Sequence, residues 1–274
     1  MTIDTHVHLK SAGPNELAAE LKTFVKECEI HNTKVCILSA GVGLTGFRND
    51  EVLNICRQYS DYFIPFAFVN LWDNIDDISI ARLKEQGFRG LKCICPYHPY
   101  DHDLYMPIYA AAEQLEMPIV FHTGVIFQHA NDLKVQRPML RNMTPLTMDR
   151  IARSFQRLNI VMAHLGTKMF REQAAELIKF HPNLYADLAG TGSWNALQPA
   201  ELVALAKLST TEIDVDYRFF KKLLFGSDSY TYMPQMLGRA KEGYEKLLFR
   251  TGVPQTIIDG IMGGTLATWL KEIN

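Results

Sequence analysis

The sequence predicts a (β/α)8 barrel, and two observations carry that reading. Eight short apolar runs alternate with amphipathic stretches along the whole chain, as expected of parallel strands that are buried on both faces and joined by helices. Several of these runs also end in a polar residue: His6 and His8, His122, His164 and Asp228. Residues at the C-terminal ends of barrel strands all meet on one face of the fold.

The elements follow in order. Strand 1 is Thr2–His8, rich in β-branched residues. Asn15–Ile30 reads as a helix with Leu17, Leu21, Phe24 and Val25 on one face and Asn15 as its N-cap. Lys34–Ser39 is strand 2, Asp50–Tyr59 a helix, and Tyr62–Val69 strand 3. The helix Ile75–Gln86 is ended by Gly87. Strand 4, Phe88–Cys95, stops at Pro96, and the helix Tyr105–Leu115 leads to strand 5, Pro118–His122. A long loop, Thr123–Thr144, precedes the helix Thr147–Leu158. Strand 6 (Asn159–His164), a helix (Lys168–Phe180), strand 7 (Leu184–Leu188), a helix (Glu201–Leu208) and strand 8 (Lys222–Ser227) complete the alternation. Helices Leu237–Arg250, Pro254–Ile261 and Gly264–Leu270 close the chain. An open doubly wound sheet is the alternative, but the glycine-rich turn of a dinucleotide-binding unit is missing after strand 1, which continues Leu9-Lys10-Ser11.

At 274 residues the chain suits one domain, residues 1–274, with ample core. Its net charge of -2 and scattered basic residues exclude a nucleic-acid-binding face, and no apolar run is long enough for a membrane span. The start of the chain enters a strand directly, without the pattern of an export signal. Five cysteines, Cys28, Cys36, Cys56, Cys93 and Cys95, fit a reducing cytoplasm, and the Cys93-x-Cys95 pair reads as buried inert thiols. A small-molecule substrate is the expected partner, and a homodimer is compatible with the chain.

His6 and His8 are two residues apart on a strand and therefore share a face. Two imidazoles converging on one point suit a divalent metal. The other polar strand ends fit the same site. His8 and His122 lie 114 residues apart, His122 and His164 lie 42 apart, and His164 and Asp228 lie 64 apart. These intervals place them after strands 1, 5, 6 and 8, and barrel closure brings strand 8 beside strand 1.

The fragments Asp4-Thr5-His6-Val7-His8, Gly87-Phe88-Arg89-Gly90-Leu91-Lys92, Pro118-Ile119-Val120-Phe121-His122-Thr123-Gly124, Ala163-His164-Leu165-Gly166 and Gly226-Ser227-Asp228 span the chain. Together they resemble the amidohydrolase superfamily, and more closely the amidohydrolase 2 family of compact metal-dependent barrels. The resemblance implies one divalent ion, zinc first and manganese as the alternative, held by His6, His8, His122 and Asp228. It implies that His164 is a further ligand or a catalytic histidine. In some superfamily branches a strand-4 lysine, carboxylated on its amine, bridges a second metal; Lys92 occupies that position, or else orients substrate. No added β-sandwich domain is expected.

The family covers hydrolysis and non-oxidative decarboxylation, and fold does not choose between them. The expected activity is hydrolysis of a small carboxylated molecule, such as a lactone or an amide, by water activated at the metal. Asp228 would move the proton, and the metal or His164 would stabilise the oxyanion. Decarboxylation of an aromatic or enoic acid is the second reading, and a barrel that only binds a ligand is the third. Lys92, Arg137, Arg141 and Tyr230 are the candidate substrate contacts, the arginines because a guanidinium matches a carboxylate. Asp4 reads either as a partner of an imidazole N–H or as a polar residue at the barrel bottom.

Overall fold

The computed structural model describes residues 1–72, 78–126, 139–190, 193–207 and 217–272. The chain runs β1 (Thr2–His8), α1 (Leu17–Ile30), β2 (Thr33–Leu38), α2 (Val42–Thr45), α3 (Asn49–Gln58), β3 (Phe63–Phe68), α4 (Ile80–Gln86), β4 (Gly90–Cys93), α5 (Met106–Gln114) and β5 (Ile119–His122). It continues with α6 (Thr147–Ser154), β6 (Ile160–Ala163), α7 (Thr167–Phe180), β7 (Leu184–Asp187), α8 (Pro199–Lys207), α9 (Arg218–Lys221), β8 (Leu223–Leu224), β9 (Ser229–Tyr230), α10 (Gln235–Arg250), α11 (Gln255–Asp259) and α12 (Thr265–Leu270). All strand pairings are parallel, in the order β8-β7-β6-β5-β4-β3-β2-β1-β9.

The predicted eighth strand, Lys222–Ser227, is corrected: only Leu223–Leu224 of it is strand, and a second short piece follows it at Ser229–Tyr230. Leu223–Leu224 pairs with β7, and Ser229–Tyr230 pairs with β1 through Val7↔Ser229 and His8↔Tyr230. Between them Asp228 adopts φ 59°, which breaks the extended run. The Thr5 N–H donates to the Phe225 carbonyl at 2.9 Å and the Asp228 N–H to the His6 carbonyl at 2.8 Å. The segment from Leu223 to Tyr230 thus joins β7 to β1 and closes the barrel.

Other boundaries also moved. The first helix starts at Leu17, so Asn15 is no N-cap: the chain turns there, with the Glu16 N–H on the Gly13 carbonyl. The helix after the long loop ends at Ser154 rather than at Leu158, and β4 is confined to Gly90–Cys93. The starts predicted at Ile75 and the end predicted at Leu208 lie outside the described residues.

Alternation along the strands divides the core into layers. Val35 and Ile37 of β2 pack outward against Phe24 and Cys28 of α1 and Val52 and Cys56 of α3. Cys36 and Leu38 point the other way, into the barrel, with Ile3, Ile64, Phe66, Val120, Val161 and Leu224. Leu266 and Leu270 of α12 join that inner cluster and plug the N-terminal end of the barrel. On β4, β5 and β7 the outward residues are Leu91 and Cys93, Ile119 and Phe121, and Leu184 and Ala186. The alternation therefore aims Lys92, His122 and Asp187 inward.

Strand β1 breaks the alternation. Ile3 belongs to the inner cluster while Val7 packs on the outer one, although both are odd-numbered. The cause is a bulge. Asp4 pairs with Val35 and Val7 with Ile37, so three steps on β1 oppose two on β2. The extra residue reverses the faces beyond it. His6 and His8 are thereby turned into the barrel, where an unbroken strand would have aimed them at the helices.

The plug yields a stability prediction. Leu270 is 3 % exposed, so Leu270→Ala should cost about 2–5 kcal/mol through lost burial and a cavity. Leu146→Ala, at an exposed site, should stay within about 0.5 kcal/mol of the parent. Urea unfolding midpoints of the two variants check this.

Candidate metal centre

His6, His8, His122, His164, Asp187 and Asp228 meet at the C-terminal end of the barrel. His6 and His8 follow the bulge of β1, and His122 ends β5. His164 comes just after β6, in a turn where it adopts φ 64°. Asp187 ends β7, and Asp228 sits in the break of the last strand. Positive φ at two non-glycine residues is a local strain of roughly 1–3 kcal/mol each, held by the surrounding fold.

Hydrogen bonds assign the imidazole tautomers. The His8 Nδ1 lies 2.8 Å from the Leu38 carbonyl, which can only accept, so Nδ1 carries the proton. The His6 Nδ1 donates in the same way to Asp187 Oδ2 at 2.9 Å. That leaves both Nε2 atoms bare, yet they face each other at 3.2 Å. Asp228 Oδ1 lies 3.6 Å from one and 3.8 Å from the other. His164 donates its Nδ1 proton to the Ala189 carbonyl at 3.2 Å and turns Nε2 toward His122 Nδ1, also at 3.2 Å. The buried His122 Nε2 has no hydrogen-bond partner among the described residues.

Protons cannot relieve this crowding. Burial pushes the pKa of His6 and His122 well below the ordinary value, that of His8 down to about 3, and that of His164 downward. Lys92 adds to the effect at each of these rings. Bare nitrogens facing one another, with a carboxylate beside them, fit a cation between them. Two overlapping sets offer ligand atoms all within 4.8 Å of one another: His6, His8 and Asp228, and His6, His164 and Asp187. In the second set Asp187 already holds the His6 Nδ1 proton, as outer carboxylates orient metal-binding imidazoles.

Asp187 is the residue that sequence reasoning missed. Its Oδ1 also accepts the His164 N–H at 2.6 Å and the Ala189 N–H at 3.0 Å. The signal was present, since Leu184-Tyr185-Ala186-Asp187 is an apolar run ended by a carboxylate. Asp4 bonds backbone instead of an imidazole. Its Oδ1 accepts the backbone N–H groups of His6 at 2.9 Å and Ser227 at 3.0 Å, pinning the bulge to the last strand. Burial raises its pKa to about 7.

Lys92 is fully buried, and its Nζ has no hydrogen-bond partner among the described residues. Burial lowers its pKa to about 8, opposed by Asp187 and Asp228. It does not snorkel to solvent. Burial raises the pKa of Asp228 to about 7, opposed by Lys92, yet 28 % of its side chain is exposed while His6 is sealed at 1 %. Asp228 is therefore open to a ligand entering from solvent.

Two glycines shape the surroundings. A Cβ on Gly124, at φ 90°, would sit 2.3 Å from the Gly166 carbonyl, so the turns after β5 and β6 can close on each other only without it. A Cβ on Gly190 would lie 3.3 Å from Asp228 Oδ2.

Of the remaining sequence candidates, Tyr230 lies at the site, its ring 6.0 Å from that of His8. Arg141 is exposed in the turn Leu140–Met143, and Arg137 lies outside the described residues. Cys28, Cys36, Cys56, Cys93 and Cys95 are all buried, and burial pushes the Cys56 thiol up to about 12. None of the described helices is long and apolar enough to cross a membrane.

Residues 40–266 match the amidohydrolase 2 family model, described as amidohydrolase. Comparison with curated proteins gave no match. Among solved structures, 2,6-dihydroxybenzoate decarboxylase from Rhizobium is 14% identical over 98% of both chains, with a TM-score of 0.66. A probable 2-pyrone-4,6-dicarboxylic acid hydrolase from Acinetobacter baumannii, solved with citric acid, is 16% identical over 98% of this chain and 99% of that one, with a TM-score of 0.65. A dihydroxybenzoic acid decarboxylase from Polaromonas sp., with bound manganese and an inhibitor, is 14% identical over 98% of this chain and 96% of its own, with a TM-score of 0.62. These likenesses are of fold. The family match and the barrel agree, and the chain belongs to the amidohydrolase 2 family.

Proposed function

We propose that this chain is a metal-dependent hydrolase of a small carboxylated molecule, such as a lactone or an amide. The observation that carries the proposal is the pair of bare Nε2 atoms on His6 and His8 facing each other at 3.2 Å, with Asp228 Oδ1 beside both. His6, His8, His122 and Asp228 would hold one divalent ion, with zinc first among candidates for such nitrogen and oxygen donors. A bound ion supplies activated water and polarises a carbonyl.

The protein's residues do the rest. Asp187 fixes the ring of His6, and the Leu38 carbonyl fixes that of His8. Asp228, reachable from solvent and raised in pKa, takes the proton of the attacking water and returns it to the leaving group. His164 presents a bare Nε2, which suits a ligand or a base better than an oxyanion donor. Lys92 and Tyr230 would contact the substrate, with Arg137 and Arg141 contributing from the loop after β5.

Non-oxidative decarboxylation of an aromatic or enoic acid is the second reading. In it Asp228, 28 % exposed at the side of the ligand set, or His164 would deliver the proton to carbon. A panel of lactones, amides and carboxylic acids, scored for product and for released carbon dioxide, separates the two.

The metal reading predicts about one tightly bound divalent ion per chain, most of it lost in His6→Ala and in His8→Ala. Normal metal content in both variants, measured by elemental analysis, would sink the assignment. Asp228→Asn should fold, keep some metal and turn over about 10²-fold more slowly or worse. Near-normal turnover with an unchanged acidic limb of the pH–rate profile would move the proton shuttle to His164. Lys92→Met should keep the metal stoichiometry and lose activity if the amine only orients substrate. A fall from two ions per chain would instead reveal a carboxylated lysine bridging a second metal.

A further inference from the structure

We propose that Lys10, together with Tyr230, forms an anion-binding subsite beside the metal ligands and selects substrates that carry a carboxylate. This proposal rests on the catalytic reading above for the reaction, but not for the binding itself.

Lys10 lies two residues beyond His8, past the end of β1, and its backbone is clamped. Its N–H donates to Thr231 Oγ1 at 3.0 Å, and the Thr231 hydroxyl donates back to the Lys10 carbonyl at 2.7 Å. Thr231 is fully buried, so this double bond between chain segments fixes where the lysine side chain starts. The Nζ then stands over the ring of Tyr230, 5.2 Å from its centroid. That ring lies 6.0 Å from the imidazole of His8 and stacks on Tyr232 at 5.5 Å. The ammonium is thus held at the mouth of the site by an aromatic face, an interaction of about 0.5–1 kcal/mol at exposed positions.

Among the described residues no carboxylate lies within ion-pair distance of this Nζ, which stands over the ring. Lys10 is half-buried. Its field reaches the metal ligands, since it is among the charges that depress the pKa of His8. With a divalent ion in place, that charge plus Lys92 and Lys10 outweighs Asp187 and Asp228, so the pocket attracts anions. A carboxylate is the fitting class: it would pair with Lys10 while the rest of a small molecule extends toward Asp228.

The test is calorimetric and needs no turnover. The zinc-loaded full chain is titrated with isophthalate, a rigid aromatic dicarboxylate, and with isophthalamide, its uncharged counterpart. Lys10→Met should weaken isophthalate by about tenfold, which is modest for a charge-assisted contact. It should leave isophthalamide and the metal content unchanged, and Lys10→Arg should restore most of the loss. A structural role would instead shift both ligands together or lower thermal stability. Equal isophthalate affinity in Lys10→Met and the parent, or no isophthalate binding to the parent at millimolar concentration, would overturn the proposal. Failure of the metal reading shows separately, as parent protein that takes up no zinc, and the Lys10 comparison then proceeds on that protein because an ammonium binds a carboxylate without a metal.

Discussion

Two imidazole nitrogens without protons face each other 3.2 Å apart, and much of this structure exists to hold them there. A buried acceptor without a donor costs about 1–3 kcal/mol, and two aimed at one another cost more. The arrangement persists because each ring is locked from behind. Asp187 takes one Nδ1 proton and the Leu38 carbonyl takes the other. Asp187 in turn accepts the backbone N–H of His164, so β7 positions histidines from β1 and from the turn after β6. A cation between them would relieve the opposition that the locks enforce, and the proposed metal rests on that physical argument.

The locks depend on how the barrel closes. Asp4 ties the bulge in β1 to Ser227, and the Asp228 N–H bonds the His6 carbonyl. The bulge that rotates the histidines inward and the break that presents Asp228 are thus stitched together at one seam. Below them the interior is apolar, filled by Ile3, Phe66, Val120, Val161 and Leu224 and sealed by α12. Above them it is polar. Water is kept from the lower half by packing, and the upper half faces solvent through Asp228. Lys92 stands between the layers with Asp187 and Asp228 opposing its loss of charge, a buried ammonium whose electrostatic partners are the site's own carboxylates.

This division bears on the chemistry. Hydrolysis needs a base at the open side of the ligand set, and decarboxylation needs an acid there. Asp228 is the carboxylate placed on that side, with 28 % of its side chain exposed. The family match spans residues 40–266 and so includes His122, His164 and Asp228 but not the His6 and His8 pair. The facing nitrogens are therefore an argument for the metal that is independent of the family match.

The sequence by itself determined the barrel, because strand and helix periodicities are local and eight units of them admit few closed arrangements. Most of the residues that meet at the candidate site were also legible, since His6, His8, His122, His164 and Asp228 each end an apolar run. Asp187 has the same signature and was legible in principle; what hid it is that its partners, His6 and His164, are distant in sequence. Only the tertiary structure decided the facing of β1. The i, i+2 rule puts His6 and His8 on one side, but which side depends on a bulge that exists through pairing with β2 and with the last strand. The split of that last strand has the same origin. It must satisfy β7 at one end and β1 at the other, and an unbroken run of β geometry would not present Asp228 to both histidines. Tautomers, too, lay beyond the sequence, because a proton's place on an imidazole is set by the carbonyl or carboxylate that the fold brings behind it.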